Sequence, residues 1–280
     1  MKKYLIGLAV VAVVGFIVAL PAEKSAPTVS QPTKSYVALG DSVAAGVGLK
    51  TDSDSSACDR TNESYPNQVA TALHYKLKNL ACSGATLPAG ILGPQDVNQL
   101  ALASQLTQLF SQPKPELISL TVGANDINWT SIIGKCYTAE CGGPEDTANV
   151  TMLLNVVNIN LNTALTQIQN HYKAAVPKVI ITGYHQVFPS DSTACADLTG
   201  IDAAELHWGR QQQASLSDTI KQATNSFSFA SFTPVDFSGH ELCTPDSWVQ
   251  GLYDKQPYHP TQAGQTAFAK QIIAAAKQAK

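Results

Sequence analysis

The chain has 280 residues, a formal net charge of −3 at pH 7 and an aromatic content of 7%. Binding to nucleic acid needs a basic surface for the phosphates and aromatic side chains for base stacking, so we expect no nucleic-acid partner. Setting aside an N-terminal leader and spacer leaves roughly 245 residues, a length that fits one domain.

The chain begins with a short basic segment, followed by an uncharged and mostly apolar run over residues 4–20. This pattern is typical of an export signal, and the length of the run is also near the lower limit for a membrane-spanning helix. We therefore expect residues 1–22 to be either a signal peptide of a secreted protein or an uncleaved anchor at the outer face of the membrane. Residues 23–35 are rich in Pro, Ser, Thr and Lys, which predicts an extended spacer before a folded domain at 36–280.

Apolar runs alternate with stretches of helical periodicity along the rest of the chain. The short apolar runs predict strands near 36–39, 78–82, 117–122, 178–182 and 230–235. Apolar residues spaced three or four apart predict helices over 65–77, 97–110, 146–172, 201–223 and 261–279. Because strands that alternate with helices form a parallel sheet covered on both faces, the pattern predicts an α/β fold.

Glycines and polar residues follow three of the predicted strands. Ser42 ends the motif Gly-Asp-Ser after the first strand, Gly84 follows the second, and Asn125 lies in the motif Gly-Ala-Asn-Asp after the third. The carboxyl ends of parallel strands meet at one edge of a sheet, where open α/β sheets bind their ligands. The sequence therefore predicts that these three residues lie together in a ligand-binding crevice.

His259 precedes the last predicted helix, in the segment Gln-Pro-Tyr-His-Pro. A serine hydroxyl is a poor nucleophile until a base accepts its proton, and a distant histidine can supply that base. Taken alone, Ser42 is better explained as the cap of a helix over 43–50, which is a common use of serine. The remaining histidines have no comparable context and are expected to be surface or core residues: His74, His171, His185, His207 and His240.

The four blocks that contain Ser42, Gly84, Asn125 and His259 resemble, in content and order, those of the SGNH hydrolases, also called the GDSL family of esterases and lipases. The resemblance runs from about residue 36 to the C-terminus. It implies a three-layer α/β/α sandwich with a flavodoxin-like parallel sheet of about five strands. It also implies an exported serine hydrolase that cleaves carboxylic esters of small molecules or lipids. We expect a monomer with no cofactor and no metal ion.

The resemblance assigns a role to each block. Ser42 would be the nucleophile and His259 the base, and the acyl group would be held as an ester on Ser42. The backbone N–H groups of Ser42 and Gly84 and the side-chain amide of Asn125 would form the oxyanion hole. Asp41 and Asp126 are expected to be structural. Gly84 in an ordinary turn and Asn125 in an Asx-turn remain the alternatives.

The support of the His259 ring departs from the family pattern. The family often has an aspartate three residues before the histidine, and this position holds Gln256, while Asp254 lies five residues before it. The third role therefore falls either to the Gln256 carbonyl or to the Asp254 carboxylate. Pro257 biases the residue before it towards extended geometry, which favours the carbonyl.

The six cysteines predict disulfides, because an even number in an exported chain is typical of them and their spacings are not those of a zinc site. The resemblance implies the sequential pairs Cys58–Cys82, Cys136–Cys141 and Cys195–Cys243. Free buried thiols are the alternative.

Two other functions are compatible with the sequence. A carbohydrate O-deacetylase would use the same fold and chemistry on a different substrate, although no aromatic-rich sugar-binding module is evident. A non-catalytic surface binding protein would have kept the fold without the activity.

Overall fold

The computed structural model describes residues 34–49, 57–190 and 195–278. The predicted leader and nearly all of the predicted spacer lie outside these residues. Within the described ranges, no helix is both long enough and apolar enough to cross a membrane.

Seven strands and seven α-helices form the described part of the chain. The strands are β1 (Ser35–Gly40), β2 (Lys76–Asn79), β3 (Gln95–Val97), β4 (Leu100–Leu102), β5 (Leu117–Thr121), β6 (Lys178–Thr182) and β7 (Ala230–Thr233). The helices are α1 (Ser42–Ala45), α2 (Tyr65–Leu73), α3 (Gln105–Phe110), α4 (Trp129–Thr138), α5 (Pro144–Tyr172), α6 (Ala203–Asn225) and α7 (Gln262–Lys277).

Five parallel strands form the central sheet in the order β2-β1-β5-β6-β7. Counted within the sheet, this order is 2-1-3-4-5, the flavodoxin-like order that the resemblance implied. The three inner strands β1, β5 and β6 are almost completely buried, as expected for a sheet covered on both faces. Helices α2 and α7 pack together on one side, and α5 packs against α6 on the other. The predicted three-layer α/β/α sandwich is confirmed.

One predicted helix is wrong over its first half. Residues 97–104 do not continue helix α3; the antiparallel hairpin β3–β4 occupies most of this segment. The two residues between its strands, Asn98 and Gln99, both have positive φ values, 50° and 67°. A two-residue turn with positive φ at both positions matches the right-handed twist of a hairpin, so this turn breaks the helical pattern. Helix α4 was not predicted at all.

The three disulfides have the predicted pairing, Cys58–Cys82, Cys136–Cys141 and Cys195–Cys243. All six cysteines lie within the described residues, and none of them is free. The alternative of buried thiols is therefore excluded.

Candidate active site

Ser42 lies where strand β1 turns sharply into helix α1. Gly40 ends the strand with a φ of +142°, and a Cβ at this position would lie 2.3 Å from the Thr121 carbonyl oxygen of the neighbouring strand, so only glycine fits. Asp41 is the N-cap of α1, because its Oδ1 accepts a hydrogen bond of 3.0 Å from the Val43 N–H. Asp41 thus has the structural role that was expected. Ser42 is the first residue of the helix rather than its cap, which leaves its hydroxyl free for another contact.

Two buried glutamines hold this turn from opposite sides. The Gln105 side chain accepts from the Gly40 N–H and donates to the Gly40 carbonyl, both at 2.8 Å. The Gln265 side chain, on α7, accepts from the Tyr65 N–H at 2.7 Å and donates to the Val43 carbonyl at 2.9 Å. Neither residue was predicted from the sequence, because a glutamine in an amphipathic helix gives no indication of its hydrogen-bond partner.

A tyrosine links the Ser42 turn to the block that contains Asn125. The Tyr184 hydroxyl donates to Asp41 Oδ2 and accepts from the Ala124 N–H at 3.1 Å. Burial raises the pKa of Asp41 to about 7, although the hydrogen bonds from Tyr184 and Val43 act in the opposite direction. Tyr184 was also missed, although it follows the fourth predicted strand at the same edge of the sheet.

Asn125 and Asp126 bind the segment that follows Gly84. The Asn125 side-chain amide donates to the Ala85 carbonyl at 3.0 Å, and the Asp126 carboxylate accepts from the Leu87 N–H at 2.9 Å. Asp126 therefore has the expected structural role, and burial raises its pKa to about 6. Because an amide nitrogen carries two hydrogens, Asn125 keeps a second donor for another acceptor.

Position 84 requires glycine because of its backbone conformation, and not because a side chain would clash with a neighbour. Its φ is +74°, and an added Cβ would have only the Gln95 Nε2 atom in reach, at 3.8 Å. Gln95 holds the turn through a 2.7 Å hydrogen bond to the Ser83 carbonyl. The neighbouring Cys82 N–H donates to the Gly40 carbonyl at 3.0 Å, which ties this segment to the Ser42 turn.

His259 lies directly against Ser42, although 217 residues separate them in sequence. Its Nε2 is 2.8 Å from the Ser42 Oγ, and its Nδ1 is 3.1 Å from the Pro257 carbonyl oxygen. A carbonyl can only accept, so the proton of the neutral ring is on Nδ1, and Nε2 accepts from the Ser42 hydroxyl. Burial lowers the pKa of His259 below its ordinary value, which keeps the ring neutral and able to accept a proton.

The acceptor for Nδ1 differs from both expected candidates. The Gln256 carbonyl accepts from the His259 backbone N–H at 3.3 Å and so faces the main chain rather than the ring. The Asp254 carboxylate accepts from the Gly251 N–H at 2.7 Å. The carbonyl that faces the ring is instead that of Pro257, because the chain turns between Gln256 and His259.

The cleft beside this pair has apolar and polar walls. Trp129, Val187 and Leu216 supply apolar surface, and Tyr184 and Gln213 supply polar groups. Ser42, Asn125 and His259 all line the cleft. Across residues 34–49, 57–190 and 195–278, no group of three or more His, Cys, Asp and Glu side chains is arranged to hold a metal ion.

Comparisons with known proteins show a similarity to lipases. Residues 38–267 match the GDSL-like lipase/acylhydrolase family. A lipase from Streptomyces rimosus is 28% identical over 237 residues, which cover 82% of each chain. The crystal structure of the extracellular lipase from S. rimosus has a TM-score of 0.69 at 26% identity and covers 86% of this chain and 99% of that one. Phospholipase A1 from Streptomyces albidoflavus has a TM-score of 0.67 at 27% identity, with 88% and 99% covered.

Proposed function

From the premise that this chain belongs to the GDSL-like lipase/acylhydrolase family and is a carboxylic ester hydrolase, we propose that it works through an acyl-enzyme on Ser42 with His259 as the base. The observation that carries this proposal is the 2.8 Å contact between Ser42 Oγ and His259 Nε2. It is the geometry that a serine nucleophile needs in order to lose its proton.

In the first half of the reaction, the Ser42 Oγ attacks the ester carbonyl while its proton passes to His259 Nε2. The imidazolium then gives this proton to the leaving alcohol, and the acyl group stays on Ser42. In the second half, His259 takes a proton from water, the resulting hydroxide attacks the acyl carbonyl, and the released proton returns to Ser42. The Pro257 carbonyl bonds the Nδ1–H throughout and stabilises the positive ring through its dipole.

Each tetrahedral intermediate carries a negative oxygen, and we assign three donors to it. The Ser42 N–H is at the first position of a helix, where no intrahelical partner exists. The Gly84 N–H and the second hydrogen of the Asn125 amide complete the set. Loss of one such donor typically costs about 2.7–4 kcal/mol of transition-state stabilisation.

We further propose that the protein is exported and that residues 36–280 are the hydrolase domain. Three disulfides support export, since they persist in oxidising compartments, and the similar S. rimosus enzyme is described as extracellular. Residues 1–22 would then be a leader or an anchor, and 23–35 a spacer.

Expression of the full chain, followed by cell fractionation and N-terminal sequencing, distinguishes a leader from an anchor. A cleaved protein in the medium indicates a leader, and an intact protein in the membrane fraction indicates an anchor. Intact protein in the cytosol would contradict export.

The test of the chemistry is an ester panel combined with covalent labelling. The wild type, Ser42→Ala, His259→Ala and Ser131→Ala are assayed on p-nitrophenyl esters of increasing acyl length, on a phospholipid and on an acetylated polysaccharide. Ser131 is an exposed serine on α4 and serves as the matched control. We expect Ser42→Ala and His259→Ala to lose at least about 10³-fold in kcat, as removal of such a pair does. An organophosphonate should label the wild type and Ser131→Ala but not Ser42→Ala.

The panel also distinguishes the alternatives. Preference for the acetylated polysaccharide would identify a carbohydrate deacetylase, with the same role for Ser42. Hydrolysis by Ser42→Ala at the wild-type rate would contradict the mechanism, and a folded wild type without hydrolysis of any ester would favour a binding protein.

A further inference from the structure

The segment from Gln256 to His259 is a type II β-turn. Pro257 is its second residue and Tyr258 its third, and the His259 N–H donates to the Gln256 carbonyl at 3.3 Å. Tyr258 has a φ of +67°, the left-handed conformation that this turn requires at its third position. Glycine is usual there, because a side chain makes the conformation unfavourable. The turn therefore depends on contacts that hold Tyr258 in place.

The central peptide of this turn carries the group that supports His259. Its carbonyl, from Pro257, accepts from His259 Nδ1 at 3.1 Å, and its N–H, from Tyr258, donates to the Gln250 carbonyl at 2.9 Å. Type I and type II turns differ by a flip of this peptide. In a type I turn the Pro257 carbonyl would point away from the ring, so the turn type decides whether His259 has its acceptor.

His185 holds the next peptide of the turn. Its Nε2 is 3.1 Å from the Tyr258 carbonyl oxygen, so Nε2 carries the proton and donates. The ring is 3% exposed and packs against Phe237 and Phe268, with centroid distances of 4.6 and 5.8 Å. Burial lowers the pKa of His185 to about 3, so the ring is neutral at neutral pH. A buried and neutral ring with one fixed donor is a rigid support.

We propose that His185 is a positioning residue: its bond to the Tyr258 carbonyl fixes the peptide that joins Tyr258 to His259, and so holds the base in place beside Ser42. This inference rests on the proposed role of His259 and adds a second histidine, which also lines the cleft and acts on the base through the turn. It predicts that loss of the His185 donor misorients the base without changing how the substrate binds.

The test compares variants of the full chain that keep or remove the donor. His185→Gln keeps an N–H near the position of Nε2, whereas His185→Leu and His185→Phe have none. We expect both non-donor variants to lose about 10- to 100-fold in kcat on a soluble ester with KM within about threefold of the wild type. His185→Gln should recover kcat to within about fivefold. Phe237→Leu is the matched packing control, because it loosens the same aromatic cluster and leaves the hydrogen bond.

A double-mutant cycle with Tyr258→Gly tests the link to the turn. Glycine adopts a positive φ without strain, so the turn needs less anchoring in the Tyr258→Gly background, and the same His185 substitution should cost less than about threefold in kcat there. Equal losses in the two backgrounds would overturn the inference. So would equal losses for His185→Gln and His185→Phe, or a kcat loss for Phe237→Leu as large as that for His185→Leu at the same melting temperature.

The role of Ser42 and the role of His185 are tested separately. If Ser42→Ala hydrolyses esters at the wild-type rate, the proposed function is wrong. If Ser42→Ala is inactive and folded His185→Phe retains wild-type kcat, only the role of His185 is wrong.

Discussion

The two halves of the site are held in place by different means. The nucleophile side, residues 40–46, 81–87 and 121–126, consists of strand ends and short turns attached to the sheet. Ser42 lies two residues after the end of β1, and Asn125 follows β5 after a short connection, so sheet pairing fixes the positions from which both project. The core of the fold and this half of the site are therefore stabilised by the same contacts.

The histidine side, residues 183–188 and 248–261, has no strand or helix around the base. Three single hydrogen bonds hold His259. The Gln250 N–H donates to its carbonyl, the Gln256 carbonyl accepts from its N–H, and the Pro257 carbonyl accepts from its ring Nδ1. Each acceptor or donor is a backbone group at a position that only the folded loop defines. The nucleophile side is thus built by secondary structure and the histidine side by a loop, and the following predictions test this difference.

The largest effect is expected on stability, from the disulfide Cys195–Cys243, whose loop lies in sequence between the two segments of the histidine side. Cys195–Cys243 spans 48 residues and Cys136–Cys141 spans 5. In the chain-entropy model, removal of the long bridge costs about 4 kcal/mol and removal of the short one about 2 kcal/mol. Urea unfolding of the two Cys→Ala double variants measures both losses. Equal losses would show that native-state contacts, rather than loop length, set the contribution of each bridge.

On the nucleophile side, Asn125→Ala should lower kcat by about 10²- to 10³-fold with little change in KM, since the lost donor acts on the transition state. Asp126→Asn is the control. It keeps an oxygen that can accept from the Leu87 N–H and so preserves the turn after Gly84. A similar kcat loss in both variants, measured by steady-state kinetics, would mean that Asn125 acts by holding the Ala85 segment rather than by donating to the oxyanion.

The same division explains what the sequence could predict. Gly40, Gly84 and Asn125 follow apolar runs, and the ends of parallel strands must meet at one edge, so their proximity follows from the pattern. Tyr184 follows the predicted strand at 178–182, so the same argument could have placed it at this edge of the sheet. The roles of Gln105 and Gln265 could not be predicted, because their hydrogen-bond partners are backbone groups 65 and 222 residues away.

The support of His259 could be predicted only in kind. An aspartate is missing three residues before the base, which indicates a carbonyl, but the choice between neighbouring carbonyls depends on the turn type. A type II turn usually has glycine at its third position, so Tyr258 gives no indication of this turn in the sequence. The same reason explains the hairpin at 95–102, where Asn98 and Gln99 adopt positive φ values that the helical spacing of leucines did not suggest.

A smaller effect concerns pH and the buried acids of the nucleophile side. Folding raises the pKa of Asp41 from 3.8 to about 7, so the folded protein favours the neutral carboxyl. The stability from this group is fully present below pH 3.8 and is lost as pH rises through about 7. The unfolding free energy should therefore fall between about pH 4 and pH 7, and it should fall less in Asp41→Asn. Urea titrations at several pH values measure the two slopes. Parallel slopes would mean that Asp41 is not the group responsible.

The smallest effect is expected from substitutions of Asp254 and Gln256, the two residues that the sequence suggested as supports of the His259 ring. The Asp254 carboxylate accepts from the Gly251 N–H, and an asparagine oxygen can accept the same bond, so Asp254→Asn should keep kcat within about threefold of the wild type. Gln256→Ala should be equally mild, because the Gln256 contribution to the turn is its backbone carbonyl, which alanine retains. Removal of a true triad carboxylate instead costs about 10⁴-fold in kcat. Steady-state kinetics on a soluble ester, with melting temperature as the check on folding, separates these magnitudes without ambiguity. A loss of several orders of magnitude in folded Asp254→Asn would mean that the loop rearranges during the reaction and brings a carboxylate to Nδ1, and the Pro257 carbonyl would then be the acceptor only in the resting enzyme.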